Sequence, residues 1–301
     1  MRIRQARTGD REAVVSFTED TWPDRFGGDY IPDVFDTWIE TDGDTQRTLV
    51  AVDDEPIGIV QVVLLSEYEA WLQGIRVDPD ARDRGVGRAL SHTAFDWAAD
   101  RGATVARNMV FSWNVKGLGL SRAVGFEPGI EFRWAHPDPD ESAGSGAAVS
   151  TDVNAAWSFW QRSTERDDLD GLGLHMGESW AVSELTRDRL RRAAEEESLL
   201  VLGDSGTDAV TYRTRVYERE REGEPRTWAE YGAAAWEDEA ACEALMAEIA
   251  RDAGAAGAEF VRVLIPETPR AVTDVASHRI EVAEDPDFVL AADLTAPYRE
   301  S

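Results

Sequence analysis

Arg82, Asp83, Arg84, Gly85, Val86, Gly87 and Arg88 bring together basic side chains, two glycines and the start of a helix. That combination suits the binding of an anion. Gly85 and Gly87 let the main chain turn tightly, so that consecutive N–H groups and the first helical turn can face one negatively charged group. Arg82, Arg84 and Arg88 add positive charge at the same end. The chain carries 59 acidic against 31 basic residues, a formal net charge of −28, so a basic cluster calls for an explanation. A lone G-x-G is also what a glycine-rich helix cap that binds nothing looks like. The full G-x-G-x-x-G spacing of a dinucleotide site is missing, and no G-K-[ST] follows as in a nucleoside-triphosphate loop.

The flanking elements position this turn. In 71-WLQGIRV-77, Trp71, Ile75 and Val77 recur at a period near two, which predicts a strand that Asp78-Pro79 stops. After Gly87, the stripe Leu90, Ala94, Trp97 and Ala98 predicts a helix that Gly102 ends.

Arg82-x-x-Gly85-x-Gly87, placed between the strand 74-GIRVDPD-80 and a helix, resembles the acyl-coenzyme-A motif R/Q-x-x-G-x-G/A of the GNAT superfamily of N-acyltransferases. Further on, 114-NVKGLGLSRAVGF-126 is similar to the family's second block, N-x-x-(A)-x-x-[LY]-Y-x-x-x-G-F. The resemblance implies acetyl-coenzyme A as cosubstrate; no metal is expected, because no two histidines have metal-ligand spacing and no H-E-x-x-H is present. The resemblance also implies that backbone groups of Ile75, Arg76 and Val77 pair with the pantetheine arm, that the backbone from Arg82 to Arg88 holds the pyrophosphate, and that Asn114 contacts the coenzyme. The chemistry it implies is direct attack of a primary amine on the thioester, with no covalent enzyme intermediate.

An ammonium with a pKa near ~10.4 must lose a proton before it can attack. Glu69 and Glu67, just before the central strand, are the candidate bases, beside the plainer reading that both face solvent; Tyr68 is a lesser candidate. A strand N–H, that of Val77, can polarise the thioester carbonyl. The family's acidic tyrosine is replaced by Ser121, which can donate a hydrogen bond over a shorter reach. That departure leaves two readings open: an enzyme, and a non-catalytic acyl-coenzyme-A sensor or scaffold.

The resemblance implies a fold that is α/β of the α+β kind, a mixed and mostly antiparallel sheet flanked by helices, the acyl-coenzyme-A N-acyltransferase fold, here expected in tandem. Residues 1–6 predict a first strand and 11–18 a helix, with 48–52 and 57–65 forming a hairpin across Asp53 to Pro56. Val34 to Ile39 predicts a short helix, and Trp22, Phe26, Tyr30 and Trp38 are candidates both for an acceptor pocket and for core packing. At 301 residues with 43% hydrophobic content, the chain is long enough for two domains. The division expected is 1–135, a linker at 136–150 rich in Pro, Gly, Ser and acid, and 151–301.

The second half shows an internal similarity to the first. Strands at 199–203, 208–218 and 228–236, a helix at 238–255 and a strand at 258–267 follow the same order. At the turn that matters it reads Trp236, Glu237, Asp238 and Glu239, carboxylates that would repel a pyrophosphate, so this half is expected to be a degenerate copy.

The charge disfavours nucleic acid and anionic membranes as partners and suits a cationic, amine-bearing acceptor. It also suits a halophilic, solvated acidic coat. Cys242 stands alone and is expected to fill space on a helix, and the four histidines show no metal-ligand spacing. With no signal-peptide pattern at the start, a cytoplasmic protein is expected, as monomer or homodimer.

Overall fold

The computed structural model describes every residue except 20, 23–27, 222 and 299–301. The chain falls into two compact units. The first comprises Met1–Val110, Asn114–Pro128 and Leu290–Ser301, and the second Phe111–Trp113 and Gly129–Val289.

In the first unit, β1 (Arg2–Gln5), β2 (Gln46–Asp53), β3 (Glu55–Leu64) and β4 (Glu69–Val77) lie in that order with antiparallel neighbours, and β5 (Val105–Phe111) joins β4 in parallel. The helices are α1 (Arg11–Thr18), α2 (Ile31–Thr41), α3 (Val86–Ala99) and α4 (Val115–Ala123). Helix α2 is longer than the 34–39 expected. Pro32 occupies its first turn, where a missing N–H costs nothing, and Ile31, Phe35 and Trp38 recur at helical spacing on its buried face. They pack with Ala6, Val14, Val50, Val52 and Ile59.

Strand β4 is bulged. Gln73 faces Gln61 and Arg76 faces Ile59, so Gly74 and Ile75 together oppose Val60. Gly74 takes φ +63°, and a Cβ there would lie 2.4 Å from the Trp38 ring. Glycine meets both demands, the left-handed backbone and the close approach of α2.

The second unit holds the end of β6 (Glu127–His136), then β7 (Val149–Ser150), α5 (Val153–Trp160), α6 (Thr164–Asp168), β8 (Leu172–Leu174), β9 (Val182–Glu184) and α7 (Arg187–Glu195). There follow β10 (Leu199–Leu202), β11 (Ala209–Arg221), β12 (Glu224–Ala233), β13 (Ala235–Trp236), α8 (Glu239–Ala255), β14 (Phe260–Pro266), α9 (Pro269–Ser277), β15 (Glu281–Val282) and the start of β16 (Asp287–Asp293). Strands β10, β11 and β12 are antiparallel neighbours, and β12 pairs with β14 in parallel. Cys242 sits on α8 in a buried cluster with Leu245, Ile249, Val263 and Ile265.

This partition differs from a cut at 136–150. Residues in that stretch are held by the second unit: the Asp140 N–H donates to Ala250, the Ser145 N–H and hydroxyl donate to Glu248, and Val149–Ser150 pairs with β10. A polar, glycine-rich composition cannot build a core, but its backbone and hydroxyls satisfy polar groups along α8. At the other end, the Leu294 N–H donates to Thr104 and the Tyr298 hydroxyl to Asp96, which ties the C-terminal stretch into the first unit. Among the described residues, no helix is long and apolar enough to cross a membrane.

Candidate functional site

After β4 the chain makes a single 3-10 turn, Pro79–Ala81, capped by the Asp78 carboxylate, which accepts from the Asp80 N–H. Arg82 (φ −63°) is followed by Asp83 (φ +60°), and Gly85 (φ +75°) caps α3. Such alternation of hand turns successive N–H groups toward one side. Gly85 offers no side-chain cap, and the Ala89 N–H is the first to bond back, onto the Gly85 carbonyl. The N–H groups of Val86, Gly87 and Arg88 therefore stand without intrahelical partners, at the positive end of the helix dipole.

Nothing lies within 4 Å of the place a Cβ on Gly85 would take, so a ligand has room to approach. Gly87 has a different reason: a Cβ there would meet Leu120 of α4 at 3.0 Å, so this glycine lets two helices touch. Arg82 and Arg88 are exposed with no carboxylate partner among the described residues. Arg84 pairs with Asp53, whose carboxyl is held below its usual range by that guanidinium and by the N-terminal ammonium.

Beside this loop the sheet opens. Strand β4 pairs with β5 only through Glu69–Trp71 against Val105–Arg107. At the far end of β4, the Asp78 N–H donates to the Ile57 carbonyl, so Gly58 and Val77 form a non-hydrogen-bonded pair and the Val77 N–H points away from β3, to the side that β5 has left. A cavity of about 20 Å³ lies between β4, β5 and the two helices, lined by Leu72, Ile75, Asn108, Ser121 and Phe126 among others. That volume is room for about one water-sized group.

Arg76 turns its side chain out of this slot. It forms a two-pronged pair with buried Asp29, donates to the Ile75 carbonyl at 3.0 Å, and lies over the rings of Trp22 (4.3 Å) and Tyr30 (5.6 Å). Of the aromatic residues proposed for an acceptor wall, Trp38 is core, Trp22 and Tyr30 pack on Arg76, and Phe26 lies outside the described residues.

The two candidate bases are placed differently from one another. Glu69 is buried at 1% exposure, accepting 2.6 Å from Arg107 Nη1 and 3.1 Å from the Ser66 hydroxyl. Glu67 and Tyr68 are exposed in the β3–β4 turn. At about 3.3 Å per residue, Glu69 starts the strand roughly 26 Å before Val77. The structure therefore does not gather these carboxylates with the glycine loop.

Asn114 caps α4, its Oδ1 accepting from the Gly117 N–H at 3.0 Å. Ser121 is buried and accepts from Asn108 Nδ2 at 2.9 Å. Asn108 is the site residue that the sequence reading missed. Its signal is phase: Ala106, Asn108 and Val110 share the buried face of β5, and only one of them is polar.

The corresponding turn of the second unit is built otherwise. Asp238 caps α8, its carboxylate accepting from the Ala241 N–H at 2.9 Å, and Glu239 follows in the first turn. The position that α3 leaves open is filled here by a carboxylate. Strands β12 and β14 stay paired from Trp228 and Phe260 to Ala233 and Leu264, so no comparable opening forms.

A family model, the acetyltransferase (GNAT) family, matches residues 11–126, a span that takes in the glycine loop, the opened strands and the Asn114 block. Residues 11–126 belong to the acetyltransferase (GNAT) family. The chain is 28% identical over 133 residues to an aminoglycoside N(6')-acetyltransferase type 1 of Stenotrophomonas maltophilia, a match covering 42% of this chain and 85% of that protein. A GCN5-related N-acetyltransferase from Sphaerobacter thermophilus shares the fold over 97% of this chain and 95% of its own, with TM-score 0.59 and 16% identity. A protein from Thermoplasma acidophilum does so over 97% and 100%, with TM-score 0.55 and 15% identity. These likenesses extend beyond the GNAT domain into the second unit, as a likeness of fold.

Proposed function

We propose that the GNAT domain transfers an acetyl group from acetyl-coenzyme A to a primary amine by direct attack. The observation that carries this reading is the uncapped, glycine-led start of α3 standing beside the gap between β4 and β5. Free N–H groups of Val86 to Arg88, with Arg82 and Arg88, would receive the pyrophosphate. The strand edge from Ile75 to Val77 would receive the pantetheine arm, and Asn114 would border it.

In the reaction, the acceptor ammonium gives a proton to water, and the nitrogen lone pair attacks the thioester carbon. The Val77 N–H supports the charge that develops on the carbonyl oxygen. The C–S bond then breaks with its electron pair going to sulfur, and the new amide nitrogen gives its surplus proton to water. Because Glu69 is engaged by Arg107 and Ser66, its proposed part is to anchor the point where β4 and β5 separate. Glu67, in the exposed turn at the opposite end of β4 from Val77, takes no part in the proton transfer.

The acidic surface favours a cationic acceptor, and the similarity to an aminoglycoside acetyltransferase makes polyamine-like and aminosugar amines the first to try. The second unit is proposed as a degenerate copy that binds no coenzyme. A non-catalytic acyl-coenzyme-A sensor is the second reading, favoured by the occupied Glu69 and by the serine at 121. Incubation with acetyl-coenzyme A and an amine panel, following release of free thiol, separates the two. Turnover supports the enzyme, and tight coenzyme binding with no release by any amine supports the sensor.

A further inference from the structure

In the second unit, Ala229 of β12 and Val261 and Val263 of β14 pack with α8. The strand period therefore puts Trp228, Arg262 and, on β11, Arg215, Tyr217 and Arg219 on the other face of the sheet. Tyr217 lies opposite Trp228, and Arg219 opposite Arg226. The Tyr217 hydroxyl is buried without a hydrogen-bond partner among the described residues, and the Arg262 guanidinium lies 5.6 Å from its ring. Three guanidinium groups, those of Arg262, Arg219 and Arg215, act on that hydroxyl against one carboxylate, Glu230. Glu230 is already taken: it accepts from Arg262 Nε at 2.6 Å and the Thr214 hydroxyl at 3.1 Å, and pairs with Arg215 at 3.0 Å. Glu259 is taken by Arg226. Arg219 has neither. Burial and the Arg262 charge both lower its pKa, and no carboxylate raises it. In a chain of net charge −28, a guanidinium set among other guanidinium groups with no carboxylate of its own lacks an anion.

We propose that this face binds an aromatic carboxylate, with Arg219 and the Tyr217 hydroxyl holding the carboxylate group and the side chains of Tyr217 and Trp228 lining the place of its ring. The unmet groups select the ligand. A guanidinium offers two parallel N–H donors to a carboxylate, and the hydroxyl supplies a third. One negative charge answers the one unpaired guanidinium, whereas a phosphate would bring a second charge into the negative field of the whole chain. Arg219 is exposed, and Tyr217 and Trp228 are half-buried. The ligand reaches the hydroxyl past the arginine, which no ion pair holds in place. Once bound, its carboxylate offsets the repulsion between Arg219 and Arg262. This binding requires nothing of the coenzyme site at the start of α3.

The test is calorimetric titration of benzoate into the full chain, with inorganic phosphate and benzyl alcohol as comparison probes. One benzoate per chain is expected, with phosphate and benzyl alcohol at least about tenfold weaker. Arg219→Gln removes the unpaired charge, and Tyr217→Phe removes only the unpartnered oxygen. Each is expected to weaken benzoate at least about tenfold, the size of a lost hydrogen bond to a charged group. Glu218→Gln, on the opposite face of β11, is expected to leave the affinity within about threefold. Benzoate is also expected to raise the melting temperature of the wild-type chain and not that of Arg219→Gln, whose own melting curve reports that it is folded. No benzoate binding by the wild-type chain, or an affinity unchanged in either Arg219→Gln or Tyr217→Phe, overturns the assignment. Phosphate bound as tightly as benzoate overturns it too, by showing an adventitious ion only.

Discussion

Trp38 occupies the space that any side chain at Gly74 would need: a Cβ on Gly74 would lie 2.4 Å from Cη2 of Trp38. The contact joins α2 to the bulge of β4, the same bulge that sets the course of Ile75 to Val77 along the gap. Gly74→Ala combines a left-handed φ with this clash, and the expected loss is about 2–4 kcal/mol. Denaturant midpoints of the two proteins measure it. An unchanged midpoint would mean that α2 is not seated on the bulge.

The Glu69–Arg107 pair is predicted to matter for stability before chemistry. Glu69→Gln leaves a mostly buried guanidinium without its charge partner and is expected to cost about 3 kcal/mol. Turnover per folded molecule in the thiol-release assay is expected to stay within about threefold. A thousandfold loss of turnover at unchanged stability would instead make Glu69 the base.

Much of the site was legible because its parts are local in sequence. Gly85, the arginines and the strand before them lie within one turn, and Asn114 to Phe126 form a second short block. Individual strands and helices in both halves followed from periodicity, as with β10 to β12 and the long helix α8, whereas the fold was implied by the motifs at Arg82 to Gly87 and Asn114 to Phe126. What escaped was non-local. Asn108 becomes a site residue only because β5 leaves β4 after Arg107 and turns one face toward α4. Gly87 looks in sequence like a second anion-binding glycine, whereas Leu120, far along the chain, shows that it is a helix contact. The Pro-, Gly- and Ser-rich stretch 136–150 has a linker's composition, yet hydrogen bonds to Ala250 and Glu248 hold it down. The elements between 151 and 198 are short and give weak periodic signals.

In the second unit, Asp287 is buried with its carboxyl accepting from Trp134 Nε1 at 3.1 Å. Burial raises its pKa from 3.8 to about 7, although the Trp134 bond and the Arg262 charge pull the other way. The folded state thus keeps a proton that the unfolded state has lost, and the stability contributed is lost as pH rises from about 4 through about 7. Asp287→Asn is predicted to match wild type in stability near pH 4 and to exceed it at pH 8, by a few kcal/mol as an order of magnitude. Urea midpoints at the two pH values provide the comparison. A variant less stable at pH 8 would show that the ionised carboxylate is the favoured form.

The charge of −28 predicts a response to salt. Self-repulsion falls as the Debye length shrinks from about 10 Å at 0.1 M to about 3 Å at 1 M. The melting temperature is expected to rise over that range in KCl. A melting temperature that is flat or falls with salt would contradict a surface adapted to high ionic strength.

The chain is expected to hold one coenzyme site, built on the start of α3 and absent from the start of α8. Calorimetric titration of coenzyme A into the wild-type chain and into Gly85→Val tests it most directly. One coenzyme A per chain is predicted, with affinity weakened at least about tenfold by the substitution. No binding, two molecules per chain, or an affinity that Gly85→Val leaves unchanged would contradict it.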